Sequence, residues 1–391
     1  MDRWREDGDQ HNGVLEAGNN KGKRRRGLHV YYHANPVIRR KRKRDVIEHI
    51  RLHNYRNYTD RQLRFEQGIN AVIAGNGRGK TNLLEALFYL IQGRSMRTSD
   101  VREMVRNGEE EAVIEANIYK GREIRIRNVI RRGGEVEGKR QIRDIGAVSF
   151  QPDDIWMVKG GPELRRKYLD EVVAETKRSY REVLREYQRT LKQRNEAIRA
   201  VRKGLKEREF MRFWNPMLYM NGKSIVEERG AALKELQREM TRLGEKWGKG
   251  EIELKYYTSM GDETGDEEKT MERIRKMEEA ELRRGVSLIG PHRDELLLFL
   301  AGKNVRRECS QGEQKLVTIA WRLAQARQME GGTGRRMLLL MDDCLSELDE
   351  ENRRTVLDEL DEWEQAILTT TDDSDELAGT HRIWLDGEGG G

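Results

Sequence analysis

Cysteine is nearly absent. The 391-residue chain has two, Cys309 and Cys344, which sit on different predicted elements and without metal-ligand spacing, so a reducing cytoplasm is the expected location. Long apolar runs are missing as well. None approaches the roughly 20 residues that span a bilayer, and the polar N-terminus has no signal-peptide core. Apolar residues make up only 36% of the chain, whereas 37% are charged, well above the roughly 25% of ordinary globular domains. That balance suits a multi-lobed molecule with long exposed helices, of two or three domains at this length.

A global field of one sign is lacking too. Residues 1–45 hold 13 Lys/Arg and 6 Asp/Glu, with basic runs at Lys23–Arg26 and Arg39–Arg44, and residues 46–391 hold 62 basic and 63 acidic residues. The net charge of +6 therefore belongs to the first 45 residues. They read as a basic, mostly disordered extension, either a solvated tail or a phosphate-binding arm. Any affinity of the body for DNA has to come from a local patch.

What is present begins with Ala74-Gly75-Asn76-Gly77-Arg78-Gly79-Lys80-Thr81. It follows the apolar run Ile69–Ile73 and precedes an amphipathic run with Leu83, Leu84, Leu87, Leu90 and Ile91. Strand, glycine-rich turn and helix are the context a phosphate-binding loop needs. Backbone N–H groups and the helix N-terminus would hold a phosphate chain, with Lys80 near its β/γ end and the Thr81 hydroxyl on Mg²⁺. The usual first glycine is Ala74, a substitution costing about 1 kcal/mol or more if that position needs φ > 0. Asn76 either contacts phosphate or steadies the turn.

Far downstream, the apolar run Met337–Met341 ends in Asp342-Asp343. Such a strand beside a phosphate loop puts one carboxylate, Asp342, on the Mg²⁺ shell and the next, Asp343, where it orients water. Between them in sequence, Ser310-Gln311-Gly312-Glu313-Gln314 opens a helix. Ser310 with Glu313 is a capping box. The same start also offers a hydroxyl, N–H groups and a positive dipole end to a γ-phosphate.

These elements in this order resemble the RecF family of recombination-mediator ATPases, related to SMC and ABC-type heads. The resemblance runs over about residues 46–386. It is carried also by Asn54–Tyr58, Gly93–Ser99, Lys159–Arg166, Gly290-Pro291-His292-Arg293-Asp294, Cys344–Asp349 and Thr369–Asp372. It implies an α/β fold, a P-loop ATPase head split in sequence by a mainly helical lobe. The expected divisions are an extension (1–45), head (46–160), helical lobe (161–281) and head again (282–391). It implies ATP and Mg²⁺ as cofactors, held by Ala74 to Asn82 with Arg56. Ser310, Gly312 and Gln314 would complete the nucleotide site of a second copy. Thr81, Asp342 and the γ-phosphate-sensing Gln151 are expected at the metal, and Lys80, Gln151 and Asp343 in catalysis. Arg94 and Arg97 meet either DNA, a partner head or the helix dipole. Asp349 either crosses the dimer interface or caps a helix, and His292 is expected to be structural. The implied activity is an ATP-driven head-to-head dimer that binds gapped or junction DNA with RecO- and RecR-type partners and slowly hydrolyses ATP. The alternatives are another SMC/ABC-like head, or an ATP-locked structural dimer with incidental hydrolysis.

Overall fold

The computed structural model describes residues 46–119, 123–138, 142, 145–261 and 265–385; the basic extension lies outside them. In chain order the strands are β1 (Val46–Tyr55), β2 (Tyr58–Arg64), β3 (Gly68–Ile73), β4 (Glu111–Tyr119), β5 (Glu123–Arg131), β6 (Val136–Gly138), β7 (Ile145–Phe150), β8 (Ile252–Tyr257), β9 (Glu295–Leu300), β10 (Lys303–Asn304), β11 (Arg336–Asp342), β12 (Gln365–Thr370) and β13 (His381–Trp384). The helices are α1 (Lys80–Gln92), α2 (Trp156–Lys159), α3 (Pro162–Thr176), α4 (Arg178–Arg202), α5 (Arg208–Arg212), α6 (Asn215–Lys246), α7 (Glu267–Arg284), α8 (Val305–Glu308), α9 (Gln311–Thr333) and α10 (Glu350–Leu360).

The central sheet has the order β13-β3-β12-β11-β7, and every pairing in it is parallel. Its strands are covered on both faces, hence the near-continuous apolar runs at Met337–Met341 and Ala366–Leu368. Alternation still sorts the side chains. Leu338, Leu340 and Ile367 face one core with α1, whereas Leu339, Met341, Ala366 and Leu368 face the other with α9. The first core is closed by an antiparallel sheet, β2-β1-β4-β5-β6. Helix α1, caught between two sheets, is apolar nearly all round, with Leu83, Leu84, Leu87, Leu90 and Ile91 buried.

The second core continues from the central sheet through α9 into α3, α4, α6 and the small sheet β10-β9-β8. The helical segment thus shares a core with the head. Helix α4, 25 residues and about 37 Å long, packs on the 32-residue α6. The stripe of Tyr180 and Tyr187 is buried as its spacing predicts. Arg194, which interrupts that stripe, is fully buried too, because it donates to Glu281 Oε2 (2.7 Å), Ser287 Oγ (2.7 Å) and Asn215 Oδ1 (2.9 Å).

Asn54–Tyr58 makes the turn between β1 and β2, with Tyr55 opposite Tyr58. Helix α6 is amphipathic over Ala231–Leu243, and its N-terminal half carries the exposed Met217 and Met220, which blur its periodicity.

Candidate nucleotide site

The parallel register brings the C-terminal ends of four strands to one edge. Ile73 pairs with Thr370, Thr369 with Asp342 and Met341 with Phe150, so Ala74, Asp342 and Gln151 follow on neighbouring strands. The phosphate loop leaves this edge from β3. Gly77 (φ 76°) and Gly79 (φ 99°) take the left-handed backbone, and Ala74 does not. Alanine at 74 is therefore free of the strain its place in the motif suggested; it is buried, and its N–H donates to Thr370 O. Glycine is required at 79 twice over, since a Cβ there would stand 2.7 Å from Asn57 Nδ2 and 2.9 Å from Tyr58 OH.

Gly75 to Arg78 are exposed, and Asn76 and Gly77 have no hydrogen-bond partner among the described residues. Helix α1 starts with no side-chain cap and no acid in its first turn, whereas α7, α9 and α10 are capped by Asp266, Ser310 and Asp349. An uncapped, exposed N-terminus leaves its N–H groups and dipole available to an anion. The Lys80 ammonium donates to the carbonyls of Ala74 and Gly75. Asn82 lies on the first turn of α1, donates to Asn57 Oδ1 and accepts from Arg97.

Asp342 is 5% exposed. Its Oδ2 accepts from Thr81 Oγ1 and its Oδ1 from Thr369 Oγ1, both at 2.6 Å. No cation pairs with it among the described residues, so a buried carboxylate and an adjacent hydroxyl face the loop with hydroxyl partners only. That donor pair fits a hard divalent cation, which would supply the missing charge. Asp343 is half-buried, sits at φ 48° and donates its N–H to Thr369 Oγ1 (3.1 Å). A non-glycine residue held left-handed is over-determined by its neighbours.

One of those neighbours had no sequence signal beyond its helix. The Lys315 ammonium of α9 donates to Asp343 O (3.2 Å), Ser346 O (2.6 Å) and Ser346 Oγ (2.7 Å), and burial lowers its pKa. Thr369 is the second: it lies in the segment Thr369–Asp372, but nothing local to it signals its bonds to the two acids. The third is the Asp154–Arg322 pair: Asp154 accepts from the Gln151 N–H (2.9 Å) and takes Arg322 of α9 in a two-pronged bond at 2.7 and 2.9 Å. The segment carrying Gln151 is thereby fixed to the helix that Ser310 starts.

Other expected site residues are engaged differently. Ser310 forms the capping box, accepting from Glu313 N–H (3.3 Å) while Glu313 accepts from Ser310 N–H (2.7 Å). It is exposed, and Gly312 lies against the backbone of Glu347. No hydrogen bond joins either residue to the phosphate loop of the same chain among the described residues. Gln314 is buried. Its amide donates to the carbonyls of Val305 and Cys309 and holds the turn before α9. Arg56, expected at the nucleotide, instead grips Glu85 of α1 at 2.7 and 2.9 Å. Burial opposes charge on Glu85, but the bonds from Arg56 and Ser95 hold its pKa below the usual carboxylate value. Arg94 lies near Glu175 and over Phe88. Asp349 caps α10 by accepting from Asn352 N–H (2.8 Å). His292 is buried between Tyr187 OH (2.6 Å) and Ser287 O (3.1 Å), the structural setting expected of it. Burial lowers its pKa to about 4.

A parallel sheet with a glycine-rich loop on one strand, an acid two strands away and a threonine-bearing strand between them defines the class: an SMC/ABC-type P-loop ATPase head. Comparison with known proteins narrows it. The RecF/RecN/SMC N-terminal domain model matches residues 46–379. The DNA replication and repair protein RecF of Bacillus cytotoxicus is 33% identical over 342 residues, 83% of this chain and 91% of that one. Its counterpart in Bacillus subtilis is 31% identical over 345 residues, 83% and 93%. A solved structure of the recombination mediator protein RecF-ATPrS in the RecFOR pathway superposes with a TM-score of 0.71 at 28% identity, covering 85% of this chain and 94% of that one. The chain belongs to the RecF family of DNA replication and repair proteins.

Proposed function

We propose that the chain is an ATP- and Mg²⁺-dependent ATPase that closes as a head-to-head dimer on gapped or junction DNA during recombinational repair, in the cytoplasm, with RecO- and RecR-type partners. The observation that carries this is the divided site. Loop, Thr81, Asp342 and Asp343 gather on one edge, while the helix start at the exposed Ser310 and half-buried Gly312 makes no hydrogen bond to that loop among the described residues. A solved relative described as RecF-ATP, 27% identical with a TM-score of 0.70, supports the nucleotide.

In this reading the N–H groups of Gly75 to Gly79 and the Lys80 ammonium hold the phosphates, and Thr81 and Asp342 hold the cation. Mg²⁺, when bound, neutralises charge that develops on the transferred phosphoryl group. Ser310 accepts from the capping N–H, so its hydroxyl proton remains to donate to a γ-phosphate on the other copy. Contacts made only in the dimer shift the monomer–dimer equilibrium toward it. Asp343 orients the attacking water, and hydrolysis removes those contacts and releases the dimer. Gln151, held by Asp154 and Arg322, reports the state of the site to α9.

Sedimentation with and without ATP tests the reading. The wild-type chain should dimerise on ATP, Ser310→Arg should stay monomeric, and Asp343→Asn should dimerise and fail to dissociate. Unchanged dissociation of Asp343→Asn would favour the ATP-locked structural dimer instead. Binding of gapped DNA should need ATP and survive removal of residues 1–45.

A further inference from the structure

The far end of the helical segment has a small core of its own. Ala197, Ile198 and Met211 pack there with Val201, Trp214 and Leu282, which brings the C-terminal turns of α4 and α7 together with α5. Gly285, just past α7, is bracketed by α4: a Cβ on it would stand 3.2 Å from Arg202 Nη1 and 3.8 Å from Arg199 Cγ. Arg199, Arg202, Lys203, Lys206, Arg283 and Arg284 converge on this end, and all are exposed.

Of the acids around this end, Glu279 pairs with Arg208, Glu278 and Glu209 with Arg212, and Glu281 with the buried Arg194, while the exposed Glu196 of α4 has no salt bridge to a described residue. Only Glu207 remains on the connection between α4 and α5. The six cations have no salt bridge to any described residue. Last-turn cations suit a helix C-terminus, which accounts for Arg199, Arg202, Arg283 and Arg284. It does not account for Lys203 and Lys206 beyond the helix, nor for the apolar groups among them. Leu205 and Phe213 are each 70% exposed and Phe210 is 45% exposed. Lys206 lies over the Phe210 ring (5.4 Å), and Phe213 meets Trp214 edge-on.

Unpaired cations fit a polyanion, and exposed aromatic rings among them fit unstacked bases. A regular duplex keeps its bases stacked and offers only the phosphates. We infer that this end of the helical segment binds single-stranded DNA, the cations following the phosphates and Phe210 and Phe213 stacking on bases. The inference rests on the reading of this chain as a DNA-binding ATPase and names the surface that meets the unpaired strand of a gap.

Fluorescence anisotropy of labelled oligo-dT, and of a duplex of the same length, tests it on the full chain. Arg202→Glu/Lys203→Glu/Lys206→Glu should weaken oligo-dT binding at least about tenfold. It should also reduce the slope of log affinity against log salt by about 2, at roughly 0.7 per phosphate contact for single strands. Phe210→Ala/Phe213→Ala should weaken oligo-dT about tenfold and leave the duplex unchanged. Both variants should keep ATP-dependent dimerisation, which shows that they fold. Wild-type affinity in the charge-reversed variant overturns the inference and leaves the proposed function standing. Equal losses on duplex and oligo-dT in the phenylalanine variant overturn base stacking. A wild-type chain that binds neither DNA would instead remove the DNA-binding reading itself, and this surface with it.

Discussion

Thr369 joins fold to chemistry through one hydroxyl, and replacing it with valine removes that hydroxyl at nearly constant volume. The side chain is fully buried on β12. It donates to Asp342 Oδ1 at 2.6 Å and accepts from Asp343 N–H at 3.1 Å. A hydrogen bond to a charged group contributes about 1.5–3 kcal/mol, and leaving the Asp343 N–H without an acceptor costs about 1–3 kcal/mol more. Because valine fills the space, no cavity term is added, and Thr369→Val should cost about 2.5–6 kcal/mol in all. The loss has two readouts. The midpoint of urea unfolding should fall, and single-turnover ATP hydrolysis should slow by about tenfold for each 1.4 kcal/mol of Asp343 positioning that reaches the transition state. Thr81→Val separates the roles. It removes the other hydroxyl on Asp342 together with a cation ligand, so it should damage Mg²⁺-dependent nucleotide binding more than Thr369→Val does. A Thr369→Val chain within about 0.5 kcal/mol of wild type by urea, hydrolysing ATP at the wild-type rate, would refute the view that β12 sets the geometry of the two acids.

His292 makes stability depend on pH. Its pKa falls from 6.5 to about 4 on folding, mainly by burial, so the unfolded chain binds more protons between those values. The contribution is complete above pH 6.5 and is lost as pH falls toward 4, by about 2 kcal/mol between pH 8 and pH 5. His292→Gln should flatten that slope in urea titrations at several pH values; an unchanged slope would contradict a neutral, buried imidazole. The Arg194–Glu281 pair is fully buried on both sides. Arg194→Met should cost about 3–5 kcal/mol by leaving Glu281 uncompensated, and adding Glu281→Leu should restore most of it. A single substitution costing under about 1 kcal/mol would show that the pair carries no such charge.

Much of the site was legible because its chemistry is local. Glycines at 77 and 79 are needed wherever the chain turns left-handed before a helix. The acids at 342 and 343 end a strand whose apolar run marks it as buried, and Ser310 with Glu313 spells a cap that the helix then forms. The contacts that the sequence did not reveal share one cause. Arg56 and Gln314 are polar residues in suggestive places, and their partners, Glu85 and the Val305–Cys309 carbonyls, were chosen by packing. Arg194 falls in line with Tyr180 and Tyr187, and the three partners that let it be buried lie 21 to 93 residues away in sequence.

Local pattern, then, determined which segments are strand, loop and helix, where an anion can be held, and which carboxylates end beside it, since these follow from backbone conformation and near-neighbour spacing. Only the tertiary structure decided that β12 lies between β3 and β11, so that Thr369 bridges Asp342 and Asp343. The same is true of Lys315 and Arg322 tying α9 to both the acidic turn and Gln151, and of two distant helix ends gathering unpaired cations around exposed phenylalanines. Each of these is a contact between groups remote in sequence, selected by the burial of the cores around the central sheet and at the end of the helical segment, and no local propensity carries that information.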